Sequence, residues 1–443
     1  DPLWSRGLGD VYKRQIKNRR TLTIRDHPSI VYPETPVPTT ITFFPVDNGD
    51  MTLIKFGDLD ATTLLIDVNI RQDADDPDGE ARDVAKDLRE RLKKDENGRP
   101  YVDAFLLSHP DQDHCRGLKR HFYLGPLDKY PDDKKDDKDK KIVIREMWSS
   151  PIVFRRASKT HTLSDDAKAF NTEARRRVQL NRDKNFAVGN GDRIQIMGED
   201  IDGKTDDLTS IVRKVDTRFS TINGKSSAFF SAFLLAPLDA QDDEEEEECL
   251  VKNQSSVILN ITLAADAQTP DGAKFLTGGD AEVFIWNRQW QRHKAEADVL
   301  EYDIMQAPHH CSWHSLSYDS WSDYREKAKL DADARKALSQ TRDGAVIVAS
   351  CKPIADDDSD PPCIRAKREY VTIVDEAKGE FYCTGEYPSE KSVEPLVFTV
   401  TAQGVQPPSK KESGSKAAAV VTSARTPMPV SYTHLTLPTI YSV

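Results

Sequence analysis

His109-x-Asp111-x-Asp113-His114 places four potential metal ligands within six residues. Imidazole nitrogen and carboxylate oxygen together suit a borderline or hard divalent ion such as zinc or manganese. The cluster follows Val102 to Leu107, an apolar run that reads as a buried strand, so its ligands would stand on rigid scaffold. The bland alternative is a polar turn and helix N-cap that happens to hold two histidines. The density of ligand types directly after an apolar strand argues against it. Two later segments repeat the arrangement: Lys274 to Thr277 runs into Gly278-Gly279-Asp280, and a strand ending at Ala307 runs into His309-His310.

The elements that must position these residues are legible as alternating strands and helices. Ile41 to Val46, Met51 to Phe56 and Thr63 to Val68 are short apolar runs separated by Asp47-Asn48-Gly49-Asp50 and by Gly57 to Asp60, a pattern that predicts a meander of strands. Ala81, Val84, Ala85, Leu88 and Leu92 fall at helical spacing, with charges between them, and predict a helix lying on the sheet. Further strands are expected at Ile142 to Trp148, Arg193 to Met197, Ala228 to Ala236, Ser256 to Leu263 and Ala345 to Ala349. Helices are expected from an N-cap at Ser164 to about Leu180, after Asp280 through about Arg292, from Asp323 to Leu338 and near Arg365 to Asp375. No internal repeat at a solenoid period is present.

Charge and composition narrow the class. The chain of 443 residues carries 62 basic and 74 acidic side chains, a formal net charge of −12, which argues against non-specific duplex binding. No run reaches the roughly 18 apolar residues that a membrane-spanning helix needs, and no membrane association is expected. Asp242 to Glu248 and Asp128 to Lys141 read as solvated, mobile loops. Six scattered cysteines without a C-x-x-C pair fit reduced thiols in a cytoplasmic enzyme. Residues 1–15 and 429–443 resemble translated sequencing-adapter read-through and are set aside from the fold. Residues 16–39 read as an N-terminal extension, 40–405 as one domain with charged insertions, and 406–428 as a flexible tail.

The ordered motifs resemble those of the metallo-β-lactamase superfamily, whose first signature is a strand followed by H-x-H-x-D-H. Asp111 stands where most members have the second histidine, and H-x-D-x-D-H is the form seen in the hydrolase domain of ComEC-type DNA-uptake proteins. Val46 to Asp50 looks like the turn of that domain's first hairpin, and Leu65-Ile66-Asp67 like the strand end that follows. Phe275 to Glu282 is similar to its L-L-T-G-D-x-E segment. Ala307 to Ser312 is similar to its H-H-G-S segment, with Cys311 replacing glycine. The resemblance spans about residues 40 to 405 and implies an α+β fold, a four-layer αββα sandwich with metals at one edge. It further implies two divalent ions, with Asp113 and His114 serving one, His109 and Asp111 the other, and Asp280 bridging. His309 or His310 completes the set, His309 being preferred because it would emerge first from the strand. The usual third-motif histidine is missing. Asn253 could give an amide oxygen in its place, as hard metals accept, or be an ordinary turn residue.

Two ions sharing a carboxylate would lower the pKa of a shared water to roughly 7 or below and supply hydroxide at neutral pH. The expected activity is therefore metal-dependent hydrolysis by metal-bound hydroxide, with zinc or manganese. Asp113, His310, His314 and Ser312 are the candidate catalytic residues, the last three placed to assist a leaving oxygen. A phosphodiesterase or nuclease is the first reading. A lactone, thioester or cyclic-nucleotide hydrolase and a catalytically silent binding module are the alternatives. Arg155, Arg156, Arg175, Arg176 and Arg177 could steer a single-stranded nucleic acid or be ordinary charged faces; protein partners are unknown. His121 reads as a packing or capping residue. Asn223-Gly224-Lys225-Ser226 lacks the upstream glycine of a phosphate-binding loop, since that position is Phe219.

Overall fold

The computed structural model describes residues 37–408 apart from 76–78, 80, 242 and 251. The segments 1–15 and 429–443, nearly all of the expected N-terminal extension and most of the expected tail lie outside the described residues. What is described is a mixed α+β chain built on two large sheets. In the first, Thr39–Phe43, Thr52–Lys55 and Thr63–Ile66 form the expected antiparallel meander. Pro100–Leu106, Ile142–Ser149 and Arg193–Met197 then add in parallel beside Thr63–Ile66. The closing strand Leu396–Thr401 pairs back on Thr39–Phe43 at the other side. In the second, Phe230–Ala236, Ile258–Leu263 and Ala273–Leu276 are antiparallel neighbours. Tyr302–Gln306, Thr341–Ala349 and Glu380–Cys383 continue that sheet in parallel.

Side-chain alternation along these strands decides what packs where. Leu64 and Ile66 join Ala104, Leu106, Phe275, Ile304 and Val348 in one cluster drawn from both sheets, with Phe43 and Phe275 meeting edge to face at 5.7 Å. Their neighbours Leu65 and Phe105 turn the other way, onto Leu88 of the helix Val84–Arg91 and Phe170 of the helix Asp165–Asp183. Leu276, Met305 and Ile347 likewise turn onto Trp286, Leu338 and Tyr370, which belong to the helices Val283–His293, Ala332–Leu338 and Ile364–Glu376. A period of two thus gives each inner strand two apolar faces, one for the opposite sheet and one for helices.

Three local expectations are corrected. The acidic run is not simply a mobile loop, because Glu244–Cys249 forms a short helix capped by Asp243. Acidic residues in a first turn favour the helix N-terminus, and Glu247 grips the buried Arg156 guanidinium through two bonds of 2.8 and 2.9 Å. The expected helix from Asp323 to Leu338 is split into Trp321–Tyr324 and Ala332–Leu338, with Arg325 between them at φ 51°. A helix not expected at all runs over Pro151–Thr160, opened by Ser150 and by proline at its first position. That Ser-Pro pair was the available signal.

Candidate metal centre

Three βα junctions converge at the carboxyl ends of parallel strands, where open α/β sheets leave a crevice. Pro100–Leu106 leads to His109, with His114 in the short helix Gln112–Cys115. Ala273–Leu276 leads to Asp280, and Tyr302–Gln306 to His309 and His310. Glycine makes the second junction possible. Gly279 sits at φ 47°, and a Cβ there would stand 2.7 Å from that of Ser256. A fourth contribution comes from the first hairpin. Gly49 lies so close to the backbone of Asp113 that a Cβ would stand 2.7 Å from its carbonyl oxygen, and the Asp50 amide donates to that oxygen at 3.2 Å. This delivers Asp50 beside the histidines.

Asp50, His114, Asp280 and His310 each offer one ligand atom, all within 4.8 Å of one another, and all four side chains are buried. Asp280 divides its two oxygens between two pairs of imidazoles. Its Oδ1 lies 3.0 Å from His114 Nε2 and 3.4 Å from His310 Nε2; its Oδ2 lies 3.3 Å from His109 Nε2 and 3.8 Å from His309 Nε2. Asp113 stands 3.5 Å from His310 Nε2 and is one-third exposed, at the open side of the group. Asn253 places its amide nitrogen 3.4 Å from His309 Nε2 and 3.0 Å from Glu282, while its Oδ1 is buried with no hydrogen-bond partner. Asp111 takes the N-cap position of Gln112–Cys115 and lies outside the close group of four.

The donor set fits a divalent cation. Both oxygens of Asp50 and Oδ1 of Asp280 are buried without a well-formed hydrogen bond, a costly state for carboxylates unless a positive charge answers them. Protons on the neighbouring imidazoles are the alternative source of that charge. Burial opposes charging His114, but Asp280 and Asp67 outweigh it and hold the imidazolium well above its ordinary range. Burial likewise opposes charging His310, whose pKa Asp280 and Asp50 nevertheless raise to about 10. Asp280 is itself held well below the usual carboxylate range, its burial being overcome by the surrounding imidazoles. His309 behaves oppositely: burial dominates and lowers it to about 4, leaving the ring neutral at neutral pH.

A pH dependence follows from these shifts. An ion entering at neutral pH must displace the protons of His114 and His310, so metal affinity should rise between roughly pH 6 and 8 by up to about tenfold per pH unit for each proton released. The metal-free fold should show the reverse trend. A raised imidazole stabilises fully below its unfolded pKa of about 6.5, and the His310 contribution is lost as pH climbs through about 10. Calorimetric titration in buffers of different ionisation enthalpy counts the protons, and thermal melts without metal check the second trend.

Residues around the group fix its orientation. Asp67 accepts from the Ser108 amide at 2.7 Å and from its hydroxyl at 2.5 Å, and holds His114 Nδ1 at 2.8 Å, leaving Nε2 to face Asp280. Carboxylates behind ligating histidines set the ring's tautomer and basicity. Asp67→Asn should therefore weaken metal binding by about 10- to 100-fold without unfolding the chain, as read by metal titration alongside circular dichroism. Ser312 and His314 belong to an adjoining set. Ser312 Oγ donates to Asp360 at 2.6 Å, and His314 Nε2 lies 3.9 Å from the other oxygen of that carboxylate, with its ring partly open to solvent. His121 is buried; burial and nearby Arg120 hold it neutral, with a pKa lowered to about 3.

Asp50, Asp67 and Asp360 were not among the expected site residues. Asp50 had been read only as part of a hairpin turn and Asp67 only as a strand end. The available signal was a carboxylate bordering a short apolar run at each position: Asp50 stands just before Thr52–Lys55 and Asp67 just after Thr63–Ile66. Cys311 occupies φ 68°, preceded by His309 at 49° and His310 at 52°. Its left-handed backbone is the conformation that glycine adopts most easily. The five arginines considered for strand steering are mostly committed within the fold. Arg155 pairs with Asp200, Arg156 with Glu247, and Arg176 and Arg177 with Glu173. Arg175 alone of the five makes no ion pair among the described residues.

Comparison with known proteins adds little to this geometry. No protein-family model matches the chain, and no curated protein matches it. Among solved structures it is similar to Igni18, described as a novel metallo hydrolase from the hyperthermophilic archaeon Ignicoccus hospitalis KIN4/I. That similarity has 11% identity and a TM-score of 0.32, over 81% of this chain and 99% of the other. No helix among the described residues is long and apolar enough to cross a membrane.

Proposed function

We propose that this chain is a metal-dependent hydrolase acting on phosphodiesters, with residues 40–405 forming one domain of four-layer αββα metallo-β-lactamase type. The observation that carries the metal reading is the division of Asp280 between two pairs of histidines, His114 with His310 and His109 with His309. Two sheets sharing one apolar cluster, each backed by helices, support the layered fold. The H-x-D-x-D-H order supports the phosphodiester reading through its resemblance to ComEC-type domains.

In this reading Asp50, Asp113, His114, Asp280 and His310 would hold one ion, and His109 and His309, with Asn253 nearby, could contribute to a second. A divalent ion there, zinc or manganese, supplies water activation and charge stabilisation at the substrate's oxygen. The protein's own groups do the rest. Asp67 keeps the His114 lone pair directed inward. Asp360 holds Ser312 and faces His314, whose partly exposed ring can hand a proton to the leaving oxygen.

A second reading has a specific observation behind it: four of the five arginines are already paired, which favours a small diester such as a cyclic nucleotide over a long strand. The test is hydrolysis of bis-p-nitrophenyl phosphate with zinc or manganese, followed by cyclic nucleotides and single-stranded DNA or RNA. Turnover that requires metal supports the proposal. Absence of turnover with metal bound would move the assignment to lactones and thioesters, and absence of both would leave a silent binding module.

A further inference from the structure

Away from the metal centre, a cavity of about 580 Å³ opens between the helices Pro151–Thr160 and Asp165–Asp183, with the strand Arg193–Met197 behind it. Its volume falls within the range of small-molecule sites, and its floor is apolar. Phe154, Ala174, Ile194, Ile196 and Leu208 line it, each at most 6% exposed. Its rim is cationic, with Arg155, Arg175, Arg182 and Lys204 against Asp200 as the single carboxylate of the lining. Three of these cations are answered within the fold: Arg155 by Asp200, Arg182 by Asp207 and Lys204 by Asp202. Arg175 is exposed at the rim and makes no ion pair among the described residues.

A half-open cavity with an apolar floor, a polar rim and one guanidinium outside any ion pair among the described residues is complementary to a particular chemistry. We propose that this cavity binds a small amphipathic anion, with an aromatic or acyl body against Phe154, Ile194 and Leu208 and a single carboxylate, sulfonate or phosphate on Arg175. Arg155 and Arg182 already spend the Nε and Nη2 edge of the fork on Asp200 and Asp207, whereas Arg175 can offer its planar fork to an oxyanion. Both walls of the cavity also touch the metal centre's supports. Asp166, at the start of Asp165–Asp183, accepts from the backbone amides of Gly117 and Lys119, just after the first motif. Pro151–Thr160 packs on the short turn Lys252–Ser255 that carries Asn253.

The binding inference does not rest on the hydrolase reading, because it requires no metal. It is tested with 8-anilinonaphthalene-1-sulfonate, an aromatic anion of suitable size, titrated by fluorescence into the full chain without metal. N-phenyl-1-naphthylamine, the uncharged counterpart, serves as the control. One saturable site per chain is expected. Arg175→Glu should weaken the sulfonate at least tenfold and leave the neutral probe unchanged. Ser158→Trp, at an exposed position of the same lining, should block both probes. Equal sulfonate affinity in the wild-type chain and Arg175→Glu, or binding undiminished by Ser158→Trp, would overturn the proposal. Circular dichroism on both variants separates loss of the site from loss of the fold.

Discussion

Asp280→Ala is expected to abolish metal-dependent hydrolysis and to weaken divalent-ion binding by well over about 100-fold, the upper range for losing even an outer partner of a metal site. Asp280 is the carboxylate that the candidate imidazoles share. Its two oxygens stand within 3.8 Å of His109, His114, His309 and His310. Removing it leaves those imidazoles without their common counter-charge. The high pKa of His310, which burial opposes and Asp280 does most to sustain, should fall toward the ordinary histidine range, detectable by NMR titration of the ring. Loss of binding with an intact circular-dichroism spectrum is the expected result. Undiminished binding would place the ion elsewhere.

Asp50→Asn should have the next largest effect, again about 100-fold or more on metal affinity. The substitution keeps shape and volume while replacing a buried anion, both of whose oxygens lack a hydrogen-bond donor, by a neutral amide. The position is anchored by backbone, through the Asp50 amide on the Asp113 carbonyl and through Ser350 Oγ on the Gly49 carbonyl at 2.7 Å, so the turn should stay in place. Asp47→Asn is the matched control. That residue belongs to the same turn but pairs with Arg71 toward solvent, and its loss should leave metal affinity unchanged. Metal titration of both variants decides whether Asp50 is a ligand or only a neighbour.

Much of the architecture was legible because it follows from short-range patterning. The meander of Ile41 to Val68 and the strands before His109 and Asp280 announce themselves through apolar runs bounded by turn residues, and the structure places strands in all of these stretches. His114, Asp280 and His310 were legible for a related reason: each lies within a few residues of the end of a largely buried strand, and the strand ends converge. The choice between His309 and His310 was not. His310 enters the close group of four and His309 turns toward Asn253 and Glu282, because three successive left-handed residues reverse the chain there. No periodicity in the sequence signals that reversal. Asp50 was missed because a turn aspartate looks the same whether it faces water or, as here, is pressed onto another loop some sixty residues away in sequence. The arginines show the same limit, since local charge gave no sign that Asp200 and Glu247 would answer Arg155 and Arg156.

If the buried group around Asp280 takes up divalent metal, the wild-type chain retains an ion that Asp280→Ala does not. Equilibrium dialysis against zinc or manganese at micromolar free concentration, followed by elemental analysis of the full chain and of Asp280→Ala, tests it most directly. Metal retained by the wild-type chain and lost from the variant is the result this account requires. No retained metal in the wild-type chain, or the same content in both proteins, would contradict it.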